Sequence, residues 1–433
     1  MGLCGPLVAN LGGPLTGLVG SNFTLQNNSV AGSTLQGPTA NGANVLFAIA
    51  NFNTSYNVSV KTQPTNPTQT CVVTNGSGTV PASSDITNIS VTCTTNPPRF
   101  AYVTNSGTNT ISAYSVDANS GTLAAVTGSP FATGSVPVAI AIDGAGTYAY
   151  VVNQADATIS AYEINRTSGA LTELTGSPYP TGPGPTALAI APASALAPAS
   201  ATVFVANGDA GTVSAFSINT VGQLTAVSGS PFAAGTLPSS VTLDYINNQA
   251  YVANQSDSTI SDFGISVAGT LIARSGSPFA TGSGPRGGAV DHAGHYLYVA
   301  NAGSNTLSGY NPAAGPLTTL SGSPYAAGSG PLAIAGDPLD KYLYVANKDS
   351  NNVSAYSLGA SGALTTLAGS PFPTGAGPAA VAVDPMGRFL YVANGGADNV
   401  SVFAITASSG TLSAVSGSPY AAGGMPSAIA ISN

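Results

Sequence analysis

The fold is decided by residues 377–403, which read GPAAVAVDPMGRFLYVANGGADNVSVF. Three short segments, residues 380–384, 389–394 and 400–405, are rich in β-branched and aromatic residues, as strands are. The pieces between them carry Pro, Gly, Asn and Asp, which favour turns. A fourth β-rich segment starts at Leu412. This stretch therefore predicts one four-stranded sheet.

The same pattern recurs along the chain about every 47 residues, within the range of known repeat proteins. One marker is Tyr or Phe, then Val, any residue and Asn, and it ends at Asn105, Asn153, Asn207, Asn254, Asn301, Asn347 and Asn394. A second marker is Gly-Ser-Pro before an aromatic residue, with its proline at Pro130, Pro178, Pro231, Pro278, Pro324, Pro371 and Pro419. Both occur seven times, which is typical of a seven-bladed β-propeller. The longest interval contains an insert at residues 192–200.

The two ends of the repeat region complement each other. The first repeat starts with its second strand, at residues 100–103, and a matching inner strand stands at residues 427–431. Pairing these segments would close the ring and leave no open blade edge. The sequence therefore predicts an all-β protein in which residues 99–433 form a seven-bladed β-propeller closed by the C-terminal strand.

Residues 1–93 lack the repeat and form a separate unit, joined to the propeller by a proline-bearing linker at residues 94–98. Their alternating pattern predicts a small Ig-like β-sandwich, with residues 1–20 available as an extended strand. Cys71 and Cys93 flank a hairpin-like segment, so we expect them to form a disulfide, which requires an oxidising compartment. For Cys4, lipid attachment, an intermolecular disulfide and an inert thiol stay open.

Charge is scarce, because only 6% of the residues are Asp, Glu, Lys or Arg and the net charge is −8. The absence of a basic cluster argues against a nucleic-acid partner. No apolar run approaches the roughly 18 residues of a transmembrane helix. We expect a secreted or cell-surface protein without a transmembrane segment, on which sequons such as Asn57 and Asn165 are available for glycans.

The Tyr-Val-x-Asn repeats resemble the YVTN family of seven-bladed propellers, and the resemblance covers residues 99–433. That family includes envelope proteins and is similar to lactonase-like enzymes. In lactonase-like members an inner strand opens with Gly-Pro-Arg-His, whose Arg and His stand at the channel mouth. Here Gly284-Pro285-Arg286-Gly287 keeps the arginine and has glycine in place of histidine. The resemblance makes Arg286 a candidate binding residue.

Other candidates are weaker. His292 and His295, with Asp291, suggest a metal site, but two histidines and one carboxylate fall short of a closed coordination shell. They follow the inner strand that Arg286 precedes, so we expect them at the opposite end of the channel. No cofactor motif is present, and no cofactor is expected.

One arginine ringed by Ala, Ser and Gly is a poor catalytic set, because lactone chemistry needs a proton donor or acceptor and a stabiliser of negative charge. The sequence therefore predicts a non-catalytic extracellular or cell-envelope structural protein that self-assembles through its N-terminal region, with its own copies or envelope components as partners. Two alternatives stay open: a lactonase-like hydrolase using Arg286 at the channel mouth, and a glycan- or protein-binding module.

Overall fold

The computed structural model describes residues 8–19, 23–29, 35–36, 41–64, 69–96, 99–193, 200–312 and 316–432. Every regular element in these ranges is a β-strand, and none of them contains a helix that could cross a membrane. The chain divides into two compact units, Met1–Asn96 and Pro97–Asn433. Cys4 and residues 194–199 of the insert lie outside the described residues.

The first unit contains two four-stranded sheets. In spatial order, the strands are Gly42–Asn51, Val8–Thr16, Ser90–Thr95 and Gln69–Thr74 in one sheet, and Leu35–Gln36, Thr24–Asn27, Ser55–Thr62 and Ser77–Thr79 in the other. Leu11 and Phe47 of the first sheet and Leu25 of the second belong to one buried core. The Ig-like assignment of this unit stays a prediction.

The predicted disulfide is present in the first unit. Cys71 and Cys93 lie directly opposite each other on neighbouring antiparallel strands and are bonded. Because such bonds persist mainly outside reducing compartments, the disulfide indicates a non-cytoplasmic location.

The described residues of the second unit form seven sheets, numbered here as blades 1 to 7 by the order of their second strands. The inner strands of blades 1 to 7 are Pro426–Ser432, Pro137–Ile142, Pro185–Ala191, Pro238–Asp244, Pro285–Val290, Pro331–Gly336 and Pro378–Val383. The second strands are Phe100–Asn105, Tyr148–Asn153, Thr202–Asn207, Gln249–Asn254, Leu297–Asn301, Tyr342–Asn347 and Phe389–Asn394. The third strands are Thr110–Val116, Thr158–Ile164, Thr212–Ile218, Thr259–Ile265, Thr306–Asn311, Asn352–Leu358 and Asn399–Ile405.

Shorter strands complete the outer edge of each blade. The fourth strands are Leu123–Ala125, Leu171–Glu173, Leu224–Ala226, Leu271–Ala273, Thr318–Thr319, Leu364–Thr366 and Leu412–Ala414. Two-residue strands that follow the Ser-Pro markers also pair with the third strands: Phe131–Ala132, Tyr179–Pro180, Phe232–Ala233, Phe279–Ala280, Tyr325–Ala326, Phe372–Pro373 and Tyr420–Ala421.

The ring closes as the sequence predicts. Pro426–Ser432 pairs antiparallel with Phe100–Asn105, and Ile429 lies opposite Val103. Each inner strand contacts the inner strands of both neighbouring blades, all the way around the ring. The seven-bladed β-propeller predicted from the sequence is therefore confirmed.

The marker asparagines explain why the blades share one geometry. All seven are completely buried at the ends of the second strands. In blade 3, Asn207 donates from Nδ2 to Thr212 Oγ1 at 3.1 Å and to Ser214 Oγ at 2.9 Å. Buried polar groups need such partners, so each asparagine fixes the hairpin between the second and third strands. These hairpins surround the end of the channel at which the inner strands begin.

Candidate active site

The seven inner strands each begin with a β-bulge at the same end of the channel. The first residue is a proline that pairs with the marker asparagine, as Pro137 pairs with Asn153. The next residue is left out of the ladder, and a bulge redirects the side chain of its extra residue. These second residues form one ring, called the mouth ring here: Ser427, Val138, Thr186, Ser239, Arg286, Leu332 and Ala379.

Arg286 is the charged member of the mouth ring. In blade 5 the pairing resumes only at Gly288, opposite Val299, so the bulge contains both Arg286 and Gly287. The Arg286 side chain is half-buried, and burial lowers the pKa of its guanidinium from the usual value. An arginine nevertheless stays protonated in proteins. Since none of the ion pairs among the described residues includes Arg286, its charge is available to a ligand.

Gly287 explains why the histidine of the lactonase-like motif is missing here. A Cβ atom on Gly287 would lie 2.4 Å from the carbonyl oxygen of Leu332 and 3.0 Å from the Cα of Ala333. These are backbone atoms of the neighbouring inner strand, so the clash could be relieved only by separating blades 5 and 6. The close contact of the two blades leaves no room for a histidine at this position.

Hydroxyl groups tie the mouth ring together. Thr186 Oγ1 donates to the carbonyl oxygen of Pro238 at 2.7 Å, and Ser427 Oγ donates to that of Pro137 at 2.6 Å. Ser239 Oγ donates to the carbonyl oxygen of Pro285 at 2.8 Å, directly before Arg286. Each bond joins one inner strand to the next blade. The hydroxyl groups therefore hold the mouth ring in a fixed geometry around Arg286.

Lys348 is a second cation at this mouth, and the sequence analysis missed it. It directly follows the marker asparagine of blade 6, and its backbone N–H donates to the carbonyl oxygen of Gly330 at 2.9 Å. This bond holds Lys348 beside the start of the inner strand Pro331–Gly336, which is the neighbour of the strand that carries Arg286. The side chain is exposed. The sequence does set Lys348 apart, because the residues that follow the marker asparagines of the other six blades are all uncharged. They are Ser106, Gln154, Gly208, Gln255, Ala302 and Gly395.

Carboxylates of the same loops fall into two groups. Asp156, Asp257 and Asp398 accept hydrogen bonds from backbone N–H groups, as Asp156 Oδ2 does from Ser135 at 2.6 Å. These three act as turn residues. Asp209 and Asp349 instead lie over Gly184 and Gly330, where added Cβ atoms would come within 2.3 and 2.4 Å of the carboxylates. Asp349 follows Lys348 directly, so blade 6 presents a cation and a carboxylate at the mouth.

The two histidines lie at the other end of the inner strand of blade 5. His292 contacts Asp340, with 3.2 Å between Nδ1 and Oδ1, and His295 lies 3.7 Å from Asp291 Oδ2 through Nδ1. Asp291 also accepts hydrogen bonds from the backbone of His295 and Tyr296. In the described ranges, no three His, Cys, Asp or Glu side chains are grouped so that they could hold a metal ion.

A comparison of the sequence with models of protein families identifies the family to which this chain belongs. The model described as lactonase, 7-bladed β-propeller, matches residues 54–190 and 182–433, which together make up most of the chain. The chain belongs to the seven-bladed β-propeller lactonase family. A comparison with curated proteins finds no match.

Several solved structures have a fold similar to that of this lactonase-family protein. A candidate 6-phosphogluconolactonase of Bacteroides fragilis is 20% identical, with a TM-score of 0.69 over 78% of this chain and 99% of that chain. A periplasmic gluconolactonase of Pseudomonas aeruginosa is 20% identical, with a TM-score of 0.65 over 77% and 99%. At these identities the similarity shows a common fold.

Membership of this family corrects one prediction. The sequence was interpreted as a non-catalytic, self-assembling structural protein because only one cation was found at the channel mouth. That interpretation is wrong, since the chain belongs to a family of lactonases and its solved neighbours include proteins named as gluconolactonases. The physical reason is that the charges at the mouth come from two kinds of element: Arg286 stands at the opening of an inner strand, whereas Lys348 and Asp349 lie on the hairpin between the second and third strands of blade 6.

Proposed function

We propose that the protein is a lactone hydrolase and that its active site is the channel mouth at blades 5 and 6. The observation that carries this proposal is the position of Arg286, a half-buried cation at the channel mouth that no described carboxylate neutralises. Lys348 adds a second positive charge on the adjacent blade. Family membership and the similar fold of a gluconolactonase support the same chemistry.

The reaction adds water to the acyl carbon of the lactone and breaks the bond between that carbon and the ring oxygen. Negative charge develops first on the carbonyl oxygen and then on the leaving alkoxide, and the product is a hydroxy acid that ionises to a carboxylate. Fixed positive charge that faces a developing oxyanion is a large source of rate enhancement. We assign this role to Arg286, with Lys348 attracting the substrate and retaining the carboxylate.

Asp349 is our candidate for the general base. Its carboxylate lies over Gly330 at the start of the inner strand of blade 6 and makes no hydrogen bond within the described part of the chain. A carboxylate in this position can accept the proton of the attacking water and return it to the alkoxide. Asp209 occupies the same place in blade 3, away from the two cations, and provides a natural comparison.

The experiment is a pH-stat assay of glucono-δ-lactone and simple γ-lactones, corrected for spontaneous hydrolysis. We expect Arg286→Ala to lower kcat/KM by about 100-fold or more, as the loss of one oxyanion-stabilising group does. Ala379 holds the equivalent position in blade 7, so an alanine fits the fold there. Lys341→Ala, an exposed lysine at the other end of the channel, is the control and should change nothing.

Asp349→Asn should lower kcat by about 100-fold or more through loss of the base, whereas Asp209→Asn should leave it unchanged. The proposal fails if no lactone is hydrolysed above its spontaneous rate, or if Arg286→Ala retains full activity.

For the location, we propose export to the cell envelope or the medium. The disulfide between Cys71 and Cys93 supports it, as does the fold shared with a periplasmic gluconolactonase.

A further inference from the structure

The residue before each inner-strand proline adopts a left-handed backbone conformation. In four blades it is a glycine, with φ of 60° to 64°: Gly184, Gly284, Gly330 and Gly377. In blades 1, 2 and 4 it is Met425, Val136 and Leu237, with φ of 54°, 54° and 55°. A side chain in this region costs conformational energy that glycine avoids, and the cost is highest for a β-branched residue such as Val136. Three blades therefore carry a large apolar side chain where glycine would be more stable.

Hydrogen bonds of the backbone impose this conformation whatever the side chain. The N–H of Val136 donates to Asn109 Oδ1 at 2.9 Å, and the N–H of Met425 donates to Asp398 Oδ1 at 2.7 Å. The carbonyl oxygen of Val136 accepts from the N–H of Gln154 at 2.9 Å. Gly330 and Gly377 have the same conformation, and their N–H groups likewise donate to side-chain oxygen atoms. The fold thus requires this backbone conformation, but it does not require the apolar side chains. Backbone strain of this kind is concentrated at functional sites, which suggests that the side chains serve the function.

The three side chains lie at the mouth that carries Arg286. Met425 is 59% exposed and its Cγ lies 3.1 Å from the place of a Cβ on Gly107. Leu237 Cδ1 lies 3.3 Å from the corresponding place on Gly208. Val136 is half-buried and is followed by Val138 in the mouth ring. Met425 and Leu237 therefore cover the rim beside loop glycines that have no side chain of their own.

Met425 and Val136 are neighbours around the ring. The inner strands that they precede are joined by the bond from Ser427 Oγ to the carbonyl oxygen of Pro137 at 2.6 Å. Leu237 precedes the strand whose Ser239 bonds to the residue before Arg286. Met425 and Val136 thus form an apolar arc on the adjacent blades 1 and 2, Leu237 adds an apolar side chain on blade 4, and the two cations lie on blades 5 and 6.

We infer that the substrate is a lactone that carries an apolar alkyl substituent, and not a fully hydroxylated sugar lactone. This inference rests on the proposed lactone hydrolysis. The ester group would lie at Arg286 and Lys348, and the alkyl chain would extend across the mouth onto Met425 and Val136. A polyhydroxylated ring would have to give up hydration of its hydroxyl groups against this apolar arc, whereas each buried CH₂ group of an alkyl chain would favour binding about fourfold.

The test compares kcat/KM for γ-butyrolactone, γ-octalactone, γ-decalactone and glucono-δ-lactone. We expect the value to rise by at least tenfold from γ-butyrolactone to γ-decalactone. The triple variant Val136→Gly, Leu237→Gly, Met425→Gly should lose most of this rise through KM. It places glycine where four blades already have it, so we expect its melting temperature to equal or exceed that of the wild type.

Met425→Gln is a second variant, which keeps the side-chain length and the backbone conformation but adds polarity. It should weaken the preference for long chains, whereas Met386→Gln, at the other end of the channel, should not.

The inference is overturned if glucono-δ-lactone is hydrolysed as efficiently as γ-decalactone, or if the triple glycine variant keeps the full chain-length dependence. In both cases loss of activity in Arg286→Ala would leave the proposed function standing. Hydrolysis of none of the four lactones would overturn the proposed function, and this inference with it.

Discussion

At the scale of single residues, blade 4 contains a buried ion pair where the other blades have apolar contacts. Arg274 Nε lies 3.4 Å from Asp262 Oδ2, and the Asp262 side chain is 1% exposed. The residues equivalent to Asp262 are small or apolar: Ala113, Ala161, Ala215, Gly309, Ala355 and Val402. Those equivalent to Arg274 are all aliphatic: Val126, Leu174, Val227, Leu320, Leu367 and Val415. The chain thus contains six natural versions of the apolar alternative.

Replacing Arg274 alone should destabilise the protein, because it leaves the Asp262 carboxylate buried without its partner. For Arg274→Val we expect the free energy of unfolding to fall by about 3–5 kcal/mol at pH 7. The double variant Asp262→Ala, Arg274→Val should be as stable as the wild type or more stable. Urea unfolding of the three proteins measures this, and equal stability of the single and double variants would contradict it.

The same pair predicts a pH dependence of stability. Burial raises the pKa of Asp262 to about 6, although Arg274 acts to lower it. A carboxyl group whose pKa is raised by folding favours the folded state below its ordinary pKa of 3.8, and this contribution is lost as the pH rises through about 6. The stability of the double variant relative to the wild type should therefore increase between pH 4 and pH 7. A difference that stays constant across this interval would show that Asp262 does not titrate there.

Only part of the candidate site could be predicted from single residues. Arg286 was found because it stands in a recognisable Gly-Pro-Arg opening. Lys348 was not, because this loop residue is held at the mouth by a hydrogen bond that the sequence does not show, from its backbone N–H to the carbonyl oxygen of Gly330. The sequence shows Met425 and Val136 where four other repeats have glycine, but it does not show that the backbone there has a positive φ.

At the scale of elements, tyrosine hydroxyl groups join one blade to the next. Tyr150 of blade 2 donates to the carbonyl oxygen of Gly222 in blade 3 at 2.8 Å. The equivalent bonds of blades 1, 5 and 6 run from Tyr102 to Gly169, from Tyr298 to Gly362 and from Tyr344 to Gly410. These hydroxyl groups are buried, and burial raises the pKa of each tyrosine from its usual value. Blade 3 has Phe204 at this position and lacks the bond.

Exchanging tyrosine and phenylalanine should therefore have opposite effects in neighbouring blades. Tyr150→Phe should lower the free energy of unfolding by about 1–2 kcal/mol, because the carbonyl group of Gly222 loses its buried donor. Phe204→Tyr should raise it by about 1 kcal/mol if the new hydroxyl group reaches Gly269, the residue of blade 4 equivalent to Gly222. Chemical denaturation measures both changes. A loss of stability in both variants would mean that the blade 3 interface is too tightly packed for another oxygen.

The strands and blades were the features that the sequence predicted best. Asparagine and Ser-Pro markers recur because each blade repeats the same buried bonds, such as Asn207 to Ser214, so the pattern and the structure share one cause. The first unit has no internal repeat, so its strands cannot be compared with equivalent strands elsewhere in the chain. Its pairing of Cys71 with Cys93 was predictable from the hairpin-like spacing, whereas the division of its strands between two sheets was not.

At the scale of the whole molecule, the propeller depends on one strand for its closure. Pro426–Ser432 supplies the inner strand of blade 1, and its neighbours are the inner strands of blades 2 and 7. Ile429 and Ile431 pack against the core that contains Val103 and Tyr391. The active site proposed here lies around the channel, so its geometry depends on this closure even though Arg286 is in blade 5.

Ending the chain at Met425 should open the ring, because the edge of Phe100–Asn105 loses its hydrogen-bonding partner and the isoleucines lose their burial. We expect a loss of about 5 kcal/mol or more, seen as a lower melting temperature by circular dichroism and as a larger hydrodynamic radius. A peptide of residues 426–433 added in excess should restore part of the melting temperature, since it binds only the folded ring. The rate of lactone hydrolysis should decrease when the ring opens and should be partly restored when the peptide binds. If the truncated protein melted at the wild-type temperature, closure by this strand would not hold the propeller together, and the mouth would have to be stable in six complete blades alone.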